Sequence, residues 1–216
     1  MEKRLYSLML AEEVVGEIDR LARRDGTNRS NLINQILAEY VQLMTPEKRI
    51  GSILGLIESA FLGNAELKPS VEPNQLTMSL KSSLSYRYRP TIRYEVQLYR
   101  VPNGAIGELS VIFRTQSPEL LRQLASFFRL IKRLEDVYLT GLIKGGVIEY
   151  ALYAERFTRS IAIPKDRNYS NEELAEAISA YIGMFDALMK DSLAGMSARE
   201  LENRYLAYLN RGVGLI

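Results

Sequence analysis

The densest chemistry in the sequence is cationic. Residues 81–101, KSSLSYRYRPTIRYEVQLYRV, carry five basic side chains (Lys81, Arg87, Arg89, Arg93 and Arg100) against the single carboxylate of Glu95. Acids and bases balance to within one charge in each of the stretches 1–42, 43–80 and 102–216, and the formal net charge is +2. A strand through Arg87, Arg89 and Arg93 sets them on one face, with Tyr86, Tyr88 and Tyr94 on the other. Two readings of that face are open. It is the solvated side of a half-buried strand, or an anion-binding surface and a second nucleic-acid contact, extended by Lys81 and Arg100. Other chemistry is excluded by composition. The chain has no Cys, His or Trp, so thiol nucleophiles, Cys/His zinc sites, iron–sulfur clusters, His- or Cys-ligated haem and Ser-His-Asp triads are ruled out. The Asp and Glu residues form no ligand-spaced cluster. No metal, no cofactor and no enzymatic activity are expected.

The elements that must position these groups read as α+β. KRLYSLML alternates over residues 3–10 as a short strand, with Tyr6, Leu8 and Leu10 facing one way and Leu5, Ser7 and Met9 the other. In AEEVVGEIDRLARRDG, Val14, Ile18, Leu21 and Ala22 recur at helical spacing, acids fill the first turn, arginines the last, and Gly26 is a left-handed stop. Asn28 caps a second helix whose apolar side carries Leu32, Ile33, Ile36, Leu37, Tyr40 and Val41. Pro46 opens a third helix reaching about Phe61, and the proline-containing NAELKPSVEPNQ reads as a linker. Further on, residues 83–100 alternate as one strand that Pro90 makes an edge or bulged strand. A turn at PNG 102–104 leads to its hairpin partner, 105–114. Helices follow Ser117-Pro118 and Ser170, a last one lies near 197–210, and Gly145-Gly146 turns into a strand-like run to Ile163. The expected division is residues 1–44, a connecting helix and linker at 45–75, and an α+β domain with an antiparallel sheet and packed helices at 76–216.

The first forty-odd residues cannot stand alone. Domains that small need a metal, a disulfide or a partner to be stable, and the composition leaves only the partner. A single strand also has two unpaired backbone edges. It pairs either with the sheet of its own chain or, more economically, antiparallel with the same strand of a second copy.

RLYSLMLAEEVVGEIDRLARRDGTNRSNLINQILAEYV resembles the ribbon-helix-helix family of DNA-binding proteins, of the MetJ and Arc type. The matching features are the alternating strand, Leu10 followed by Glu12 and Glu13, the spacing of the first helix, the Asp25-Gly26 break and the NRSNLI opening of the second helix. The resemblance covers residues 3–42, about a fifth of the chain. It implies an intertwined homodimer whose two-stranded ribbon enters the major groove of double-stranded DNA. It also implies that Leu5, Ser7 and Met9 face the bases, and that Lys3, Arg4, Thr27, Asn28, Arg29 and Ser30 contact phosphates. The sequence departs from the family's pattern in placing Leu5 and Met9, which touch thymine methyls but cannot form bidentate hydrogen bonds, where long polar side chains are usual.

The expected function is that of a homodimeric, sequence-specific DNA-binding protein acting as a transcriptional repressor. Residues 76–216 are expected to assemble higher oligomers or to receive a partner protein or small effector. A DNA-segregation (partition) adaptor is the alternative, and a protein-interaction scaffold that uses the ribbon only to dimerise is a third reading. No apolar run reaches membrane-spanning length and residues 1–20 contain no signal-peptide core, so a cytoplasmic protein without membrane contact is expected.

Overall fold

The computed structural model describes residues 5–70, 76–84, 90–143, 147–214 and 216. The chain divides into two units, Met1–Thr45 and Pro46–Ile216. Lys3, Arg4, Tyr86, Arg87, Tyr88, Arg89 and the Gly145-Gly146 pair lie outside the described residues.

The first unit is a helical hairpin. Helix α1, Glu12–Arg24, begins with Glu12 and Glu13 and ends with Arg23 and Arg24, charges that oppose the partial charges of the helix ends. Gly26 follows at φ +63°, the left-handed stop expected there. Helix α2, Arg29–Tyr40, starts at Asn28, whose side chain accepts the Asn31 amide at 2.9 Å. Ile18, Ala22 and Leu32 form the small core, with Leu21 and Ile33 packed against it. Of the strand expected at residues 3–10, the described part, residues 5–10, pairs with no strand of this chain, and the strands of the described residues begin at Leu67. The reason is the absence of a neighbour. A strand needs another strand to pair its N–H and C=O groups, and among the described residues the sheet takes its strands from Leu67 onward.

The second unit is a six-stranded antiparallel sheet with helices packed on it, the α+β class expected. Its strands are β1 (Leu67–Ser70), β2 (Thr77–Ser83), β3 (Thr91–Asn103), β4 (Ala105–Phe113), β5 (Tyr150–Leu152) and β6 (Arg156–Ile161). Their order across the sheet is β1-β2-β3-β4-β6-β5. The helices are α3 (Pro46–Ala60), α4 (Pro118–Tyr138), α5 (Asn171–Leu193) and α6 (Ala198–Leu209). The expected connector at 45–75 is different in kind. Helix α3 buries Ile50, Ile53, Leu54 and Ile57 in the main core, and the supposed linker contains β1. The stretch 83–100 is also not one strand. It holds the end of β2 and most of β3, which pair from Ser83↔Thr91 to Thr77↔Gln97. Pro90 stands in the connection, its carbonyl accepting the Leu84 amide at 3.1 Å. Consequently β3 lies inside the sheet, between β2 and β4, and not at an edge. Both edge strands are short, four residues in β1 and three in β5, and β1 contains Pro69.

Alternation assigns the two faces. Leu80, Tyr94, Val111 and Phe157 are cross-strand partners and all buried. They join a core to which α3, α4, α5 and α6 add Ile57, Phe128, Phe185 and Tyr205. Phe128 stacks on Phe157 at 4.6 Å between centroids, and Tyr94 meets Phe185 edge-on. Gly107 allows β3 and β4 to approach closely: a Cβ there would lie 2.4 Å from the Gln97 carbonyl oxygen. Local caps start the helices as expected, Ser117 for α4 and a reciprocal Ser170–Glu173 box for α5.

One charge pair is fully inside this core. Arg159 of β6 and Glu135 of α4 are both completely buried, with Arg159 Nε donating to Glu135 Oε2 at 2.7 Å. The Tyr150 hydroxyl donates to the same oxygen at 2.5 Å, and that of Tyr181 to Oε1 at 2.6 Å. The guanidinium also lies over the Tyr181 ring, 4.4 Å from its centroid. Burial drives the Tyr150 and Tyr181 hydroxyls far above the ordinary tyrosine range, and the Glu135 carboxylate adds to the effect. Burial opposes the Arg159 charge, but the carboxylate outweighs it and the guanidinium is held more firmly protonated. A second inward pairing joins the Tyr94 hydroxyl to Asp186 at 2.8 Å, with Lys190 on the other oxygen at 2.7 Å.

Candidate nucleic-acid interface

Two surfaces hold the residues singled out in the sequence, one in each unit. In the first, Thr27, Asn28, Arg29 and Ser30 lie together because the tight turn after Gly26 leads directly into α2. The first amides of a helix have no acceptor within it, so this end combines backbone donors, two hydroxyls and a guanidinium. Asn28 is committed to its cap. Arg29 is engaged as well: its Nε donates to Asp19 Oδ1 at 2.7 Å and a terminal nitrogen donates to Oδ2. That hydrogen bonding holds the Asp19 carboxyl below its ordinary range. Arg29 therefore ties α2 back to α1, and any anion binding at this helix end would compete with Asp19 for it.

Leu5, Ser7 and Met9 are exposed, and Leu5 and Met9 are exposed almost completely. They belong to a stretch with many exposed apolar side chains. Between Leu5 and Met44, twelve large apolar side chains are exposed, while Ile18, Ala22, Leu32 and Ala38 are buried. On α2 the exposed Ile36, Leu37 and Tyr40 follow one helical face, continued by Val41 just past its end.

The second surface is the sheet face opposite the core. Cross-strand register lines up Lys68, Lys81, Arg93, Ile112 and Arg156 in one row over five strands. The adjacent row is Ser70, Ser79, Glu95, Ser110 and Thr158. Lys81, Thr91, Arg93, Ile112 and Arg114 line a shallow cleft of about 370 Å³ on this face. Arg93 reaches Glu95 at 2.8 Å, and Arg156 lies 3.9 Å from the same carboxylate. Of the residues proposed from sequence, Arg93 is thus joined by Lys81. Arg100 is not on the row: it lies where the register between β3 and β4 shifts, and it pairs with Glu47 of α3 at 3.2 Å. The aromatic ring at Tyr94 points into the core. Sequence reasoning missed Lys68 and Arg156, which strand register joins to Arg93, and Arg114, which follows β4 and lines the same cleft.

Among the described residues, no group of three or more acidic side chains converges as metal ligands would, and no helix is long and apolar enough to cross a membrane. Comparison of the chain with protein-family models, curated proteins and solved structures finds no match.

Proposed function

We propose that the protein is a homodimeric, sequence-specific DNA-binding protein acting as a transcriptional repressor, with residues 1–44 of two copies interlocked. The observation that carries this reading is the apolar surface from Leu5 to Met44. Twelve exposed large apolar side chains within forty residues are more than a water-facing unit usually carries, and each such side chain covered contributes about 2 kcal/mol. Residues 5–11 supply the missing half of the argument. Their alternation suits a strand, residues 5–10 pair with no strand among the described residues, and a second copy provides an identical segment. Pairing through a two-fold axis brings two Thr27–Ser30 helix starts to one side of the ribbon, the arrangement that the ribbon-helix-helix resemblance implies for phosphate contact.

The test has two readings, mass and binding. Sedimentation equilibrium at micromolar concentration is expected to give twice the chain mass, and Leu37→Glu with Tyr40→Glu to return it to one. Selection from a random duplex pool at two salt concentrations is expected to yield one or a few two-fold symmetric sites. A tandem array of sites would instead favour the partition adaptor. A monomer without salt-sensitive DNA binding would refute the proposal.

A further inference from the structure

We propose that the exposed face of the sheet in residues 46–216 is a second nucleic-acid site, which takes the phosphate backbone of a duplex without reading its sequence. Four of the five positions in the row Lys68, Lys81, Arg93, Ile112, Arg156 are cationic, and Arg114 lies beside Ile112 in the same cleft. Lys68 stands directly opposite Lys81, and Lys81 directly opposite Arg93. Like charges directly opposite one another destabilise a sheet, so the row sets a cost on the fold that a polyanion removes. Lys68, Lys81 and Arg114 have no ion-pair partner among the described residues, and Glu95 serves both Arg93 and Arg156.

The dimensions suit a phosphodiester backbone. Strands lie about 4.8 Å apart, so the row spans about 19 Å. Duplex DNA carries one phosphate about every 3.4 Å of axis on each strand, so a segment of that length presents a dense line of negative charge to the row. A duplex is favoured over a single strand because the tyrosine of β3 nearest the row, Tyr94, faces the core, so it offers no ring to unpaired bases. A membrane surface fits less well. The row's one apolar member, Ile112, is 9% exposed and has little to insert into lipid.

This site is independent of dimerisation and of the α2 helix start, and the experiment separates the two. Binding of a short duplex of random sequence is followed by fluorescence anisotropy from about 50 to about 200 mM salt. It is measured for the full chain, for Thr27→Glu with Ser30→Glu, and for each of these carrying Lys81→Gln and Arg114→Gln. Both glutamine substitutions are at exposed positions, and circular dichroism checks that the fold is kept. Removing two phosphate contacts is expected to flatten the salt slope by about 1.8, so that the loss of affinity over this range shrinks about twelvefold. The same flattening is expected in the Thr27→Glu, Ser30→Glu background. An unchanged slope in both backgrounds overturns the proposal, whatever happens to sequence-specific binding. A second outcome that overturns it is loss of binding to phosphatidylserine-containing vesicles in the glutamine variants with duplex binding intact.

Discussion

Replacing Glu135 by leucine tests whether the buried charge network is a unit or a set of separate contacts. Glu135 accepts from Arg159 at 2.7 Å, from Tyr150 at 2.5 Å and from Tyr181 at 2.6 Å, and both charged partners are fully buried. Glu135→Leu therefore leaves a guanidinium in the core without its counter-charge and two hydroxyls without their acceptor. Breaking one side of such a pair costs about 3–5 kcal/mol. In a unit of this size that corresponds to a fall of about 6–20 °C in melting temperature, at roughly 2–4 °C per kcal/mol. Adding Arg159→Met removes the orphaned charge, so the double variant is expected to regain about 2 kcal/mol although it lacks one more native contact. Thermal melts followed by far-ultraviolet circular dichroism, with urea titrations alongside, measure both steps. A loss below about 1 kcal/mol for Glu135→Leu, or a double variant less stable than the single one, would refute the reasoning.

Three further outcomes are expected. Gly107→Ala forces its new methyl against the Gln97 carbonyl and should lower the urea midpoint by the equivalent of about 1–3 kcal/mol, with no change in slope. Tyr94, Tyr150 and Tyr181 are held protonated in the fold, first by burial and then by nearby carboxylates. The unfolded chain releases those protons in the ordinary tyrosine range, so stability is complete below about pH 10 and declines above it. The decline approaches about 1.4 kcal/mol per pH unit for each tyrosine, and a denaturation midpoint that stays flat to about pH 11 would count against it. Asp19→Asn releases Arg29 from its carboxylate partner; if Arg29 contacts phosphate, duplex affinity should rise about two- to fivefold, the worth of one surface ion pair.

What the sequence revealed was what short stretches decide for themselves. The caps at Ser117 and Ser170, the stop at Gly26 and the turn at Gly104 are set by residues within a few positions of one another, and each appears where the pattern put it. Helix α3 was harder to read because its apolar face is covered chiefly by α5, more than a hundred residues away, so alone it resembles a connector. Strand β1 was hidden by Pro69, which is tolerated only because β1 is an edge. Arg159 did leave a sign. It falls in phase with Phe157 and Ile161, which marks a charge aimed inward, but nothing nearby named Glu135 as its partner. The basic row was the least legible, since strand pairing, and not sequence proximity, brings its members together.

The brevity of the two outer strands has a consequence for how copies of this protein meet. With four residues on one border, one of them a proline, and three on the other, the sheet offers little ladder for a further chain to extend. Growth by sheet addition is thus discouraged at both ends. If the segment before α1 pairs with its twin, that contact would consume the same patch on each copy and close on itself, which would stop assembly at a defined number of subunits short of a polymer.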